Sequence, residues 1–223
     1  MRRHIVFDLD GTLVDSLPGI AEGVNRALVS LGRSPHAPQA VRGMIGRGAA
    51  NLCAAALGYA DVSLAPQEEL QDMHSAFMRE YPHCWQGEGT RPYPGILSMV
   101  RSLAAAGAKL AVLSNKPHEV TLPMVRTLFP DVPFSPLWGF SGRFPRKPAP
   151  DALLAIATEW GVRPQDLTLV GDSLFDARTA SNAACSCLLV AWGYASTADL
   201  EDWPAPLCRT VSDLQAKLLG SPF

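Results

Sequence analysis

The chain has 223 residues, 48% of them hydrophobic and 18% charged, with a formal net charge of −2 at pH 7. That length suits one large domain or a core domain carrying an insertion, and the composition is that of a chain that buries a core, not of a disordered one. The slight negative charge and the lack of any basic tract argue against nucleic acid or an anionic membrane as partner. Arg2 and Arg3 precede an apolar run that is short and interrupted by Asp8 and Asp10, which an export signal would not tolerate. No stretch approaches the roughly 20 apolar residues of a membrane span. Five cysteines, Cys53, Cys84, Cys185, Cys187 and Cys208, form an odd set without metal-type spacing, which fits reduced thiols in a cytoplasm.

The first predicted element is the apolar strand His4-Ile5-Val6-Phe7, which runs into Asp8-Leu9-Asp10-Gly11-Thr12-Leu13-Val14-Asp15-Ser16. In an extended chain alternate side chains share a face, so Asp8 and Asp10 can enter one crevice while Leu9 packs away from it. Two neighbouring carboxylates repel unless a cation or proton lies between them. One can then serve as nucleophile and metal ligand, the other as proton donor and acceptor. A strand ending in an ordinary Asp-Gly turn explains the same residues equally well.

From residue 17 to about 80 the pattern is helical, with Ile20, Val24, Ala27, Leu28 and Leu31 at helical spacing and an alanine-rich run from Ala49 to Leu57. Pro66 and two acidic residues open a further helix. Residues 81 to 94, rich in Pro and Gly, read as a linker. Beyond it, short apolar strands at 109–113, 167–170 and 186–191 alternate with helices at about 95–106, 118–128, 150–160 and 173–183, with a proline-rich connection near 130–149. This alternation predicts an α/β fold, a doubly wound parallel sheet covered on both faces, with an all-helical insertion after the first strand. In such sheets ligands lie beyond the carboxyl ends of the strands.

Three polar clusters fall in those places. Ser114-Asn115-Lys116-Pro117 follows a strand and offers a hydroxyl and N–H groups at a helix start, although an ordinary helix cap by Ser114 or Asn115 accounts for it better by itself. Gly171-Asp172-Ser173-Leu174-Phe175-Asp176 carries two carboxylates about a helix start; Asp172 can cap it and Asp176 can be solvated, or both can join Asp8 and Asp10 around a magnesium ion. In the proline-stiffened loop 143–151, Lys147 is placed to neutralise a phosphate and a carboxylate, and Arg143 and Arg146 read as a solvated basic loop.

Taken jointly, the four motifs make the chain resemble the haloacid dehalogenase superfamily, and within it the phosphoglycolate phosphatases. The resemblance extends to Gly46-Arg47-Gly48 in the insertion and to Tyr93-Pro94-Gly95 on the return to the core. It implies a Rossmann-like core of residues 1–16 and 92–223 with a helical cap at 17–91. Asp8 would attack phosphorus and form an aspartyl-phosphate, while Asp10 would protonate the leaving oxygen and then deprotonate the hydrolytic water. Gly11, Thr12, Ser114, Asn115 and Lys147 would hold the phosphoryl oxygens. Asp8, the Asp10 carbonyl and Asp172 would bind Mg2+, supported by Asp176. Arg47 of the cap is a candidate partner for a substrate carboxylate, or simply a solvated residue at a helix start. One departure from the family pattern is Ala184, which stands where a glycine is usual.

Among relatives, a dehalogenase needs no acid two residues after its nucleophile, so Asp10 argues against that activity. A phosphonatase needs a cap lysine, yet the first lysine is Lys109. A sugar phosphomutase of the same superfamily remains as the alternative. A receiver-like signalling module would need no cap, and a non-enzymatic binding protein no reactive groups. The expected activity is Mg2+-dependent hydrolysis of a small phosphate monoester, by a cytoplasmic monomer or homodimer.

Overall fold

The computed structural model describes residues 1–87 and 89–220. The chain forms two compact units, one of Met1–Val14 with Pro92–Phe223 and one of Asp15–Arg91. Strands β1 (His4–Phe7) and β2 (Val14–Asp15) precede four helices, α1 (Leu17–Ser30), α2 (Pro38–Arg42), α3 (Ala49–Ala56) and α4 (Gln67–Trp85). The chain returns through β3 (Arg91–Pro92) and continues with α5 (Ile96–Ala105), β4 (Lys109–Pro117), α6 (His118–Leu128), β5 (Phe134–Phe140) and α7 (Asp151–Trp160). It ends with β6 (Leu167–Gly171), α8 (Leu174–Asn182), β7 (Ser186–Val190), α9 (Thr197–Glu201), β8 (Leu207–Cys208) and α10 (Val211–Leu219).

Six strands pair in the order β5-β4-β1-β6-β7-β8, and every pairing is parallel. β1 is central, and its Ile5, Val6 and Phe7 are wholly buried, as a strand covered on both faces requires. After β1 the sheet grows outward through β4 and β5, and then resumes on the other side with β6. The strand order therefore reverses at β1, and sheets of this kind place their ligands beyond the carboxyl ends of the strands flanking such a reversal, here β4, β1 and β6.

In the helical unit, α1 buries Ile20, Val24, Ala27 and Leu28, the 3.6-residue stripe visible in the sequence. Helix α4 buries Met73, Ala76, Phe77, Tyr81, Cys84 and Trp85, with the Phe77 and Tyr81 rings stacked 4.9 Å apart. The linker expected from residue 81 therefore starts later, because α4 runs through Pro82 to Trp85. An interior proline costs about 3 kcal/mol. Burying the large side chains of Tyr81 and Trp85 contributes about 2 kcal/mol or more apiece and outweighs that cost.

Two further expectations are corrected in the core. Ser114 to Pro117 are the last residues of β4, not the start of a helix, and α6 begins at His118 with no side-chain cap. β5 fills the connection expected to be irregular. Its Pro136 and Gly139 hide a strand from pattern reading, yet β5 is the edge of the sheet, where a missing N–H donor leaves no ladder bond unmade. All five cysteines are free thiols, and burial pushes Cys53 up to about 12 and Cys185 to about 11, so they act as packing groups. No helix among the described residues is long and apolar enough to cross a membrane.

Helix α8 ends in a Schellman motif: the Cys185 amide donates to the Ala180 carbonyl at 2.9 Å and the Ala184 amide to Ser181 at 3.0 Å. The motif puts Ala184 at a φ of 53°, in the left-handed region; it is the single non-glycine residue there among the described residues. A side chain in that conformation costs about 1–2 kcal/mol, against about 0.5–1 kcal/mol for the greater chain entropy of glycine. Ala184 is exposed and loses no packing when shortened. Ala184→Gly is therefore expected to stabilise the fold by about 0.5–1 kcal/mol in chemical denaturation; a destabilised variant would refute this account of the helix end.

Candidate active site

β1 stops at Phe7, and the parallel ladder is carried one residue further by the Asp8 amide, which donates to the Val170 carbonyl at 2.9 Å. The chain then folds tightly about the Leu9 carbonyl, which accepts from Thr12, Leu13 and Val14 at 3.3, 3.0 and 3.0 Å. The simple alternation of a strand thus does not extend to Asp10. A turn brings Asp10 back, with Gly11 at a φ of 81° inside it.

Three carboxylates, those of Asp8, Asp172 and Asp176, present oxygens within 4.8 Å of one another. Lys147 is buried among them and places Nζ 2.8 Å from Asp8 Oδ1 and 2.6 Å from Asp176 Oδ1. Asp8 Oδ1 also accepts from the Leu9 amide at 2.7 Å, whereas Asp8 Oδ2 has no hydrogen-bond donor among the described residues. Asp172 accepts from the Thr12 hydroxyl at 3.2 Å and from the Tyr194 amide at 2.7 Å. Its seat is cut close on two sides. A Cβ on Gly11 would stand 2.3 Å from Asp172 Oδ2, and one on Gly193 would stand 2.2 Å from the Asp172 Cβ.

The two plain readings of the Gly-Asp cluster are both replaced. Ser173, not Asp172, caps α8, and Asp176 closes a capping box by accepting from the Ser173 amide at 3.2 Å and hydroxyl at 2.6 Å. Asp176 is wholly buried instead of solvated, so its second oxygen is free to anchor Lys147.

Several residues expected on a phosphate are engaged elsewhere. The Asn115 side chain is bound at both ends to the Lys147 main chain, donating to its carbonyl at 3.1 Å and accepting from its amide at 2.8 Å, so it shapes the site by fixing the Lys147 loop. The Thr12 hydroxyl is on Asp172, and the Gly11 amide donates to Val14 at 2.9 Å. Ser114 differs from these: it lies buried at the end of β4, and its hydroxyl accepts from the Lys116 amide at 3.3 Å, a bond that does not use its own proton. Arg47 sits exposed in the helical unit, in the turn before α3, where its charge helps to hold the Asp61 carboxyl low, after the hydrogen bonds from Ser63.

Sequence reasoning missed Lys116. Its ammonium reaches both oxygens of Asp10, at 2.9 and 3.1 Å, so the two carboxylates of the opening motif are held by two different lysines. The signal available was a lysine within a strand-end motif. Arg143 and Arg146 are also more than a solvated loop. The Arg143 guanidinium lies 5.0 Å from the Trp138 ring and 4.9 Å from that of Phe144, and Arg146 stacks 3.4 Å over Phe140. These groups wall a cavity of about 310 Å3 that reaches Ser114 and Lys147.

Three carboxylates against one ammonium leave an excess of two negative charges when all are ionised. Burial, then Asp176 and Asp10, raise the Asp8 carboxyl from 3.8 to about 7 despite Lys147. Burial, then Asp8 and Asp176, take Asp172 to about 8. Burial pulls the Lys147 ammonium down, but Asp176 and Asp8 together outweigh it and leave its pKa raised. The site therefore calls for added positive charge from protons or from a cation, and its oxygen-only donors suit Mg2+.

A carboxylate cluster and a fixed lysine at the strand-order reversal define an α/β protein with a charged site built for a cation or an anionic substrate. The comparisons narrow that class. A family model described as haloacid dehalogenase-like hydrolase matches residues 5–190, and the chain belongs to that family. It is similar to the phosphoglycolate phosphatase of Pseudomonas putida, at 35% identity over 98% of this chain and 79% of the relative. It is similar also to that of Escherichia coli, at 32% identity over 99% of this chain and 93% of the relative. A crystal structure from Lactobacillus delbrueckii subsp. bulgaricus, provisionally described as a phosphoglycolate phosphatase, has a TM-score of 0.89 at 28% identity, covering 99% of both chains.

Raised carboxyl values mean that the folded, metal-free protein holds more protons than the unfolded chain between pH 3.8 and about 8. Stability from these groups is therefore lost as pH rises through that window. With a chelator present Tm should fall across it, and Mg2+ should raise Tm more at the upper end than at the lower. Asp172→Asn should flatten the dependence in thermal melts, whereas a Mg2+ shift independent of pH would contradict the charge balance.

Proposed function

We propose that the protein hydrolyses a small phosphate monoester, phosphoglycolate or a close analogue, through an aspartyl-phosphate on Asp8. The observation that carries this reading is the state of Asp8: one oxygen is held by Lys147 and the Leu9 amide, and the other lacks any donor among the described residues. Such a carboxylate is oriented at one end and open at the other. The named relatives at 35% and 32% identity support the substrate class.

In the first half-reaction Asp8 Oδ2 attacks phosphorus, the ester P–O bond breaks, and the leaving oxygen takes a proton from Asp10. In the second, Asp10 takes a proton from water as the water oxygen attacks phosphorus, and the bond to Asp8 breaks. Lys147 and the Ser114 hydroxyl hold phosphoryl oxygens, and Asn115 keeps Lys147 in place through its main chain. Asp8, the Asp10 carbonyl and Asp172 would hold Mg2+, which when bound supplies charge neutralisation for phosphoryl oxygens and carboxylates alike. Asp176 positions Lys147 from behind. Arg47 is kept as the candidate partner for a substrate carboxylate.

Asp8→Asn should lower kcat for an aryl phosphate with Mg2+ by about four orders of magnitude. Substantial remaining turnover would remove the nucleophile. Asp10→Asn should slow turnover by about two to four orders of magnitude. In a panel of phosphoglycolate, sugar phosphates, nucleotides and pyrophosphate, phosphoglycolate should give the highest kcat/KM, whereas glucose 6-phosphate formed from the 1-phosphate would identify a mutase instead. Arg47→Ala should raise KM for phosphoglycolate more than for an aryl phosphate; equal effects would return Arg47 to the solvent.

A further inference from the structure

We propose that Lys116 is a positioning residue for Asp10, fixing the carboxyl plane so that one oxygen faces the leaving group and later the attacking water. The inference rests on the acid and base role given to Asp10 above. Its own basis is geometric. Lys116 Nζ lies 2.9 Å from Asp10 Oδ1 and 3.1 Å from Oδ2, with side-chain exposures of 4% and 13%. A single ammonium bridging both oxygens restrains rotation of the carboxyl group as well as its position.

The lysine is itself anchored by its main chain. The Lys116 carbonyl accepts from the Thr121 hydroxyl at 3.3 Å, and a Cβ on Gly139 would stand 2.7 Å from that carbonyl oxygen, so β5 and α6 both close on it. The pairing of β4 with β5 is irregular between Leu113 and Pro117, and that irregularity lies at the residues carrying Ser114 and Lys116. A buried ion pair of this kind is a weak source of stability, because desolvation roughly cancels the Coulomb gain and an apolar pair packs as well. A buried lysine held on the one carboxyl group that must give and take a proton is explained by chemistry instead.

The two lysines divide the work. Lys147 serves Asp8 and Asp176, while Lys116 serves Asp10. When Asp10 carries the proton on the oxygen turned to the leaving group, Lys116 keeps the other oxygen. When that proton has gone to the leaving oxygen, the ammonium donates to both. The proton passes only between Asp10 and the leaving oxygen or water.

The test compares phosphoenzyme formation in rapid acid quench with Mg2+ for two substrates. Dinitrophenyl phosphate has a leaving group that needs no proton, whereas phosphoglycolate expels an alkoxide that does. Lys116→Met should slow formation from phosphoglycolate by about 100-fold, with KM little changed, and should slow formation from dinitrophenyl phosphate far less. Lys116→Arg, which keeps a donor to the carboxylate, should recover part of the loss. Equal slowing with both substrates, or no slowing with either, would overturn the proposal. If Lys116→Met does not fold by circular dichroism, Lys116→Arg and Lys116→Gln carry the same comparison. A wild-type protein that forms no phosphoenzyme from either substrate would defeat the aspartyl-phosphate reading itself, and this one with it; a normal wild-type phosphoenzyme with uniform loss in the variants would defeat only this one.

Discussion

One ammonium shared among three buried carboxylates is the constraint on which the rest of the site depends. At an effective dielectric of about 20, two charges within 4.8 Å repel by about 3 kcal/mol or more. Lys147 offsets the repulsion felt by Asp8 and Asp176 through direct contact, whereas Asp172 is met by neutral donors, the Thr12 hydroxyl and the Tyr194 amide, and feels Lys147 less than it feels the two carboxylates. Protons relieve the excess at low pH, and a divalent cation would relieve it once those protons are lost. A site short of positive charge is one that a cation would stabilise.

The fold makes such a cluster affordable by spreading its members over elements that are rigid for other reasons. Asp8 rides on a central strand whose residues are wholly buried, Asp172 follows β6, and Lys147 comes from a loop tied to β4 by the Asn115 amide. Each carboxylate keeps a neutral hydrogen-bond partner of its own, so none is left as a bare buried charge. The glycines at 11 and 193 belong to the same economy, since either one with a side chain would strike Asp172.

Much of this was legible in the linear order of residues. The α/β alternation, the helical insertion and the four polar motifs were visible because periodicity and turn chemistry are local properties. The misreadings share a cause. Pro82 reads as a helix breaker, Pro136 and Gly139 as a loop, and Ser114 to Pro117 as a helix start, because each residue type carries a local preference. In the folded chain, burial of Tyr81 and Trp85, an edge position for β5, and pairing of β4 with β5 outweigh those preferences. Ala184 is the reverse case: the family resemblance put it where a glycine is usual, and the backbone does adopt a glycine's conformation there.

The sequence by itself determined which groups are present and in what order along the strands, and so the family and the class of chemistry, because side-chain type and spacing are written in it directly. Only the tertiary structure decided the partnerships: Lys147 with Asp8 and Asp176, Lys116 with Asp10, Asn115 with the Lys147 main chain, and Thr12 with Asp172. Those contacts join residues from 29 to 160 positions apart. Charge pairing and desolvation act through space, and no local pattern records which ammonium will meet which carboxylate once the strands close around them.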